Sequence, residues 1–349
     1  MTRQVNPEMV RVARLSRSMK QSQVAERLGI LQPAYSKLET GDSGVSAAHL
    51  SVLSDTFDYP ESFFFQTDRI WGSASPHHRK RKSLNVYQLE AIEAQINVVR
   101  LNIGQLVANV ELEPLSELPT LALDDVGTPN EAARQARRLL RVPSGPIQNV
   151  TRLLEDAGVF VMEWPFQSDR IDAISIWGFG EYPVILLNAA FPADRKRLTL
   201  THETGHLVMH ATNIAEDPEK EANTFASEFL MPEAEIRPDL IGLRINDLPD
   251  LKMRWKASMR GIVYWAKELG MISADQARYM FMKLNQRFGV KHEPIPLQPE
   301  PPSLIGEVLD RYLKDMGYTV EQVAGLVHRN PDEFERLFGP TRRQLRVLR

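Results

Sequence analysis

Residues 197–210 read RLTLTHETGHLVMH and hold three of the chain's eight histidines within nine positions. This stretch constrains the fold more than any other. On an α-helix His202 and His206 stack on one face with about 6 Å of axial rise between their backbones, so two imidazoles can converge on one cation. Glu203, one residue round from His202, can then face a water beside that cation without ligating it. In such a His-Glu-x-x-His arrangement zinc acidifies a water and the carboxylate takes its proton as general base, chemistry suited to peptide-bond hydrolysis. From the composition, the pattern is expected by chance roughly 0.014 times in a chain of this length. Coincidence is therefore not the main competitor to a metal site on a helix running from about Arg195 to His210.

A site of this type needs a third protein ligand. The chain has no cysteine, which excludes disulfides and thiolate zinc sites and leaves His, Asp or Glu to complete the set. His210 lies about 12 Å of rise beyond His202, too far to share an ion bound at about 2 Å, and reads as a packing or supporting residue. The metzincin pattern would need Gly at 209 and His at 212, where the sequence has Met209 and Thr212. The next helix, predicted from about Pro218 to Leu230, has an apolar face of Ala222, Phe225, Ala226 and Phe229. Glu219 and Glu221 flank that face on opposite sides, and either could reach the ion.

At 349 residues, 43% of them hydrophobic, the chain is long enough for two or three units with their own cores. The pattern predicts an α+β protein, mostly helical. An N-terminal all-α helix-turn-helix domain occupies residues 1–70, and a basic linker with a connector helix covers 71–129. A central zincin-like domain with a small β-sheet and the HExxH helix spans 130–290. A Pro-rich spacer at 291–303 and a C-terminal helical segment at 304–349 follow. In the central part VFVMEW, DAISIWGF and YPVILLNA read as short strands, the last two as a hairpin. PVILLN could pair with an extended substrate as an edge strand, or lie buried within the sheet. Both SPHHRKRKS at 75–83 and the tail TRRQLRVLR read as solvated basic segments.

Within residues 6–66, KQSQVAERLGILQPAYSKLETG has the spacing of a helix-turn-helix. Gln21 opens the first helix, Gly29 turns the chain, and the second helix runs from about Leu31 to Glu39. Residues 1–82 carry 12 Lys/Arg against 8 Asp/Glu, a balance of +4 within a chain of net charge -3, which suits an anionic partner. The C-terminal YTVEQVAGLVHRNPDEFERLFG repeats the spacing, but the acidic start of its second helix would repel phosphate. Packing or dimerisation is the expected role there.

Two family resemblances follow from these residues. THETGHLVMH with EANTFASEFLMP, supported by GPIQNVTRLLEDAGVFVME, PVILLN and ASMRGIVYWAKELGMIS, resembles the ImmA/IrrE family of zinc metallo-endopeptidases over roughly residues 130–285. That resemblance implies His202, His206 and Glu221, the Glu preceding Ala-Asn, as metal ligands and Glu203 as catalytic base. It also implies cleavage of a DNA-bound repressor as the activity. The N-terminal segment resembles the XRE or phage-repressor family, whose second helix enters the major groove. Carried over, Gln32, Pro33, Ala34 and Ser36 would face bases while Gln21 and Lys37 grip phosphate. Gln suits adenine, and Lys37 would add salt-dependent affinity. Pro33 is tolerated in the first helical turn.

Together these features predict a DNA-binding transcriptional regulator with zinc-dependent endopeptidase activity, cleaving a repressor-type protein in stress, phage or mobile-element regulation. Two His and a carboxylate suit manganese as well as zinc. The expected partners are a double-stranded DNA operator, a protein substrate such as an XRE-type repressor or a co-encoded toxin, and a second copy in a homodimer, with no membrane. No apolar run approaches the roughly 20 residues that span a bilayer, and the expected location is cytoplasmic. The rival reading is an XRE-family transcription factor or an antitoxin-like component of a toxin–antitoxin or phage-defence system, its metal domain a sensor or a structural element.

Overall fold

Helix starts follow the capping residues in the sequence. Asn6, Ser46, Asn85, Thr128, Asn149, Asp217, Ser258, Ser273 and Thr319 each accept a first-turn backbone N–H, satisfying donors that a helix start leaves open. The structure, a computed structural model, describes residues 4–71, 85–166, 170–178, 180–210, 216–289 and 293–339. The basic stretch at 75–83 and the basic tail from 341 lie outside these residues.

From the N-terminus come α1 (Pro7–Ser16), α2 (Gln21–Leu28), α3 (Gln32–Thr40), α4 (Ala47–Phe57), a 3-10 turn at Glu61–Phe65 and the long α5 (Val86–Val107). The middle of the chain forms α6 (Leu123–Val126), α7 (Pro129–Leu139), α8 (Val150–Glu155), strands β1 (Phe160–Trp164), β2 (Ala173–Ile176) and β3 (Val184–Asn188), then α9 (Ala193–Met209) and α10 (Pro218–Leu230). After these follow α11 (Glu233–Ile236), α12 (Leu248–Trp255), α13 (Met259–Glu268), α14 (Ala274–Phe288), α15 (Leu304–Asp310), α16 (Val320–Leu326) and α17 (Pro331–Phe338). The protein is thus mostly helical with one small sheet. Among the described residues, no helix is long and apolar enough to cross a membrane.

The contacts divide the chain into two units, Met1–Leu112 together with Leu304–Arg349, and Glu113–Ser303. In the first unit α1 to α4 close on Met9, Val24, Tyr35, Leu53 and Phe57, all nearly fully buried. Gly29, left-handed at φ 66°, makes the turn between α2 and α3 without the steric cost another residue would carry. A buried ion pair, Arg14 Nε to Glu39 Oε1 at 2.6 Å, ties α1 to α3.

The helix expected as a connector within 71–129 is α5, and it belongs to this first unit. Ala94, Val98 and Leu101 of α5 share its core. The C-terminal segment, expected to stand apart at 304–349, folds onto the same unit. Tyr312 donates to Leu106 O at 2.8 Å, Asn102 donates to Val327 O at 2.8 Å, and Asn330 donates to Asp58 Oδ1 at 2.6 Å. Glu333 joins Arg329 at 2.7 Å and pairs with Arg17. Of the two acidic residues that start α17, Glu333 is therefore buried between two arginines, while Asp332 is exposed. Packing accounts for this motif.

In the second unit the sheet order is β1-β3-β2, with β1 parallel and β2 antiparallel to β3. The predicted β2–β3 hairpin is present. β3 is the central strand and every residue in it is buried, which suits its unbroken apolar run. With both edges paired, PVILLN has no free edge to offer a substrate, and β2 is an outer strand instead.

Within the stretch expected as a Pro-rich spacer at 291–303, the described residues from Glu293 to Ser303 are fastened to this unit. Glu300 accepts from Val150 N at 2.8 Å, at the start of α8, and pairs with buried Arg197 of α9. Glu293 accepts from Met259 N at 2.8 Å, at the start of α13, and from buried Lys252 at 3.1 Å. Each carboxylate meets both a helix N-terminus and a buried cation, and both favour its charge.

Burial opposes the charge on Glu333, but the hydrogen bond from Arg17 and the field of Arg329 outweigh it and hold the carboxyl below the usual 4.5. A depressed carboxylate contributes stability that is complete above its unfolded pKa and fades as pH falls through the lower folded value. The protection factors of α16 and α17, which correct for the slower intrinsic exchange in acid, should therefore fall on acidification below about pH 4.5. Glu333→Ala, which strands two arginines, should cost on the order of 3–5 kcal/mol in urea unfolding. Unchanged exchange and stability would show that the pairing holds nothing.

Candidate functional site

The site lies where α9 packs against α10. Gly205 sits between the two histidine positions and faces Phe225. A Cβ on Gly205 would lie 3.0 Å from Phe225 Cδ1 and 3.2 Å from its Cβ, so the ring would have to give way by a few tenths of an ångström. Glycine costs a helix interior about 1 kcal/mol relative to alanine. Here it permits the close approach that brings α10 side chains to the α9 histidines.

At that approach His206 Nε2 and His202 Nε2 lie 3.1 Å apart. Glu219 places one carboxylate oxygen 3.5 Å from each ring nitrogen. These three residues offer ligand atoms all within 4.8 Å of one another, a group that could hold a metal ion. Their chemistry fits a divalent cation such as zinc, which two imidazoles and one carboxylate bind well. The two rings and the carboxylate already pull on each other electrostatically. Hydrogen bonds from His202 and then His206 hold Glu219 well below the usual carboxylate range. Burial works against a charged His202, yet Glu219 and Glu203 together raise its pKa.

Each histidine is braced on its other nitrogen. His202 Nδ1 lies 3.0 Å from Asn223 Oδ1. His206 Nδ1 lies 3.0 Å from His210 Nδ1, and His210 Nε2 lies 2.8 Å from Glu221 Oε2. A chain from Glu221 through His210 thus reaches the back of His206, the arrangement by which outer partners fix a ligand's tautomer and orientation. Burial lowers the pKa of His210. Glu203 is buried, and Ser175 of β2 donates to its Oε2 at 2.6 Å.

Of the residues read from the sequence, His202, His206 and Glu203 come together here. Glu221, which the family resemblance put on the metal, is placed on His210, while Glu219 stands at the paired histidines. The two differ because successive helical residues turn by about 100°. Glu219 shares a stripe with Asn223, facing His202, whereas Glu221 shares one with Phe225, on the Gly205 side. Sequence reasoning gave no role to Asn223, although its spacing of four from Glu219 signals a common face. Ser175 carries no such signal, since only the packing of β2 on α9 brings it to Glu203.

In the first unit Gln32, Pro33, Ala34 and Lys37 are exposed on α3 and Ser36 is half-buried. Gln21 does not stand alone as a phosphate contact. It donates to Glu39 Oε2 at 2.7 Å and accepts from Gln32 Nε2 at 2.7 Å. Leu31, at the N-cap of α3, is 78% exposed, so the start of α3 stands out from the core.

Two stretches of the chain match known family models. Residues 154–264 match the peptidase model described as the IrrE N-terminal-like domain, and residues 10–64 match a helix-turn-helix model. No curated protein matches the chain. The protein therefore joins an XRE-type helix-turn-helix to an ImmA/IrrE-type domain with a metallopeptidase-like fold.

The geometry separates the two α10 carboxylates experimentally. Competition with a chelating dye should show Glu219→Gln losing the greater part of zinc affinity, while Glu221→Gln, altering only the brace on His206, loses about 10- to 100-fold. The reverse order would move the third ligand to Glu221.

Proposed function

We propose that this protein is a DNA-binding transcriptional regulator with zinc-dependent endopeptidase activity, directed at a repressor-type protein whose cleavage relieves repression. The observation that carries the reading is the convergence of His202, His206 and Glu219 beside a carboxylate, Glu203, that ligates nothing in that group. A divalent cation held by the three would supply Lewis acidity for hydrolysis near neutral pH.

The chain's own residues account for the rest. Asn223 and His210 orient the two imidazoles from behind. Ser175 holds the Glu203 carboxylate in one rotation through its bond to Oε2. Glu203 takes a proton from the attacking water and returns it to the departing amide nitrogen. The water oxygen ends on the carbonyl carbon and the C–N bond breaks. β2, the outer strand that carries Ser175, is placed to pair with an extended substrate backbone, main chain to main chain.

Glu203→Gln keeps the size and the hydrogen bond from Ser175 but removes the base. Incubated with zinc and the XRE-type repressors encoded beside its gene, the wild type should cut one while Glu203→Gln binds zinc equally and leaves it intact. Equal cutting by both proteins would refute the role of Glu203.

For the DNA-binding half, the support is an exposed α3 start at the end of a stretch, residues 1–37, that carries seven Lys/Arg against two Glu. A gel shift on the gene's own promoter should weaken steeply with salt. Lys37→Ala should reduce the slope of log affinity against log salt by about 1 while leaving sequence preference unchanged. A salt-independent or absent shift would leave the helix-turn-helix as a protein-binding module.

A further inference from the structure

The groove between α9 and α10 continues past the metal-binding group. Leu198 lies one turn before His202 on α9, while Asn223 and Ser227 follow Glu219 at successive turns of α10. These three residues line one side of a cavity of about 650 Å³. Its far wall is Tyr264 of α13, Phe281 of α14 and Pro296 of the fastened proline-rich segment. Ligand pockets commonly span about 300–1,000 Å³. The space therefore holds a bulky side chain with some adjoining backbone. Asn223 ties the cavity to the metal-binding group directly, since it lines one and touches His202 of the other at 3.0 Å.

The charges in the lining indicate what it accepts. Lys252 is buried and bonds Asp194 at 2.5 Å and Glu293 at 3.1 Å. Arg260 pairs with Glu293 at 3.2 Å, and Arg195 with Asp172 at 2.8 Å. Each charged residue lining the cavity thus has an opposite charge in place, and a further buried charge would be desolvated without gaining a counter-ion. What remains for recognition is the apolar surface of Leu198, Tyr264, Phe281 and Pro296. Asn223 lies beside His202, with Ser227 one turn further along α10, where a substrate backbone would pass.

We infer that this cavity receives a large apolar side chain next to the bond to be cut, so that the protein selects peptide bonds flanked by residues such as leucine or phenylalanine. The inference rests on the peptidase reading above and names its substrate class. Burial of such a side chain corresponds to a preference of roughly 10- to 150-fold over alanine. The proline-rich segment, as one wall, becomes part of the specificity device.

The test separates binding from cutting. The full chain, zinc-loaded and with labelled leucine methyl groups, is titrated with N-acetyl-leucinamide, N-acetyl-phenylalaninamide and N-acetyl-alaninamide, and the Leu198 methyl resonances are followed by NMR. The first two should shift them at concentrations where the alanine compound does not. Ser227→Leu, which fills the cavity, should abolish the shift. Tyr264→Ala, at a half-buried position, should weaken it and serves if the first variant fails to fold. In parallel a random decapeptide library is digested and its cut sites are read by mass spectrometry. Bulky apolar residues should dominate one position beside the cut, and the same substitutions should erase that dominance. No Leu198 shift, or equal shifts with all three amides, would overturn the inference whatever the library shows. Selective shifts without any cutting would uphold the apolar ligand class of the cavity and sink the peptidase reading instead.

Discussion

Gly205 and Phe225 meet more closely than a β-carbon is ordinarily accommodated, and the grouping of polar side chains in the second unit depends on that contact. It sets the separation of α9 and α10, and with it the reach of Glu219 to the two histidines. It also decides which α10 stripe meets which part of α9. Glu219 and Asn223 go to His202, and Glu221 goes to His210. A bulkier residue at 205 would move every one of these groups together.

Around that contact the unit relies on carboxylates that each serve two ends. Glu293 and Glu300 sit at the starts of α13 and α8 and also neutralise Lys252 and Arg197. Both cations lead back to α9, Arg197 by belonging to it and Lys252 through Asp194. The helix that carries the paired histidines is thus anchored at its N-terminal half by charge and at its C-terminal half by the α10 contact. A helix held at both ends suits a group of side chains that must be fixed within fractions of an ångström to bind one ion.

The first unit shows the same economy of charge. Arg14 and Glu39 orient α3 from below, and Glu39 also receives Gln21, which receives Gln32. The exposed start of α3 is therefore wired to the core through one glutamate. At another corner Glu333 pairs with Arg329 and with Arg17, which caps α1 and donates to Phe57 O and Asp58 O at the turn after α4, so that the C-terminal helices, α1 and that turn are joined. The burial of Glu333 explains why a motif with helix-turn-helix spacing carries an acidic residue in its second helix: it is a packing element, and its charge is used internally.

Much of this was legible in the sequence, because it depends on local periodicity. The His202–His206 spacing on a helix, the buried face of Ala222, Phe225, Ala226 and Phe229, the β2–β3 hairpin and the turn at Gly29 all follow from residues within a few positions of one another. Which carboxylate meets the histidines did not follow, since Glu219 and Glu221 flank the same face and only the closeness of α9 decides between them. Ser175 at Glu203, the fastening of Glu293 and Glu300 and the joining of α5 and α15–α17 to the N-terminal helices were likewise out of reach. Each depends on partners tens to hundreds of residues apart, and sequence pattern carries the period of an element but not the identity of the surface it packs against. The sequence alone thus determined what the helices are and which side of each is apolar. Tertiary packing decided which polar groups those apolar contacts bring together, and so which of them form the site.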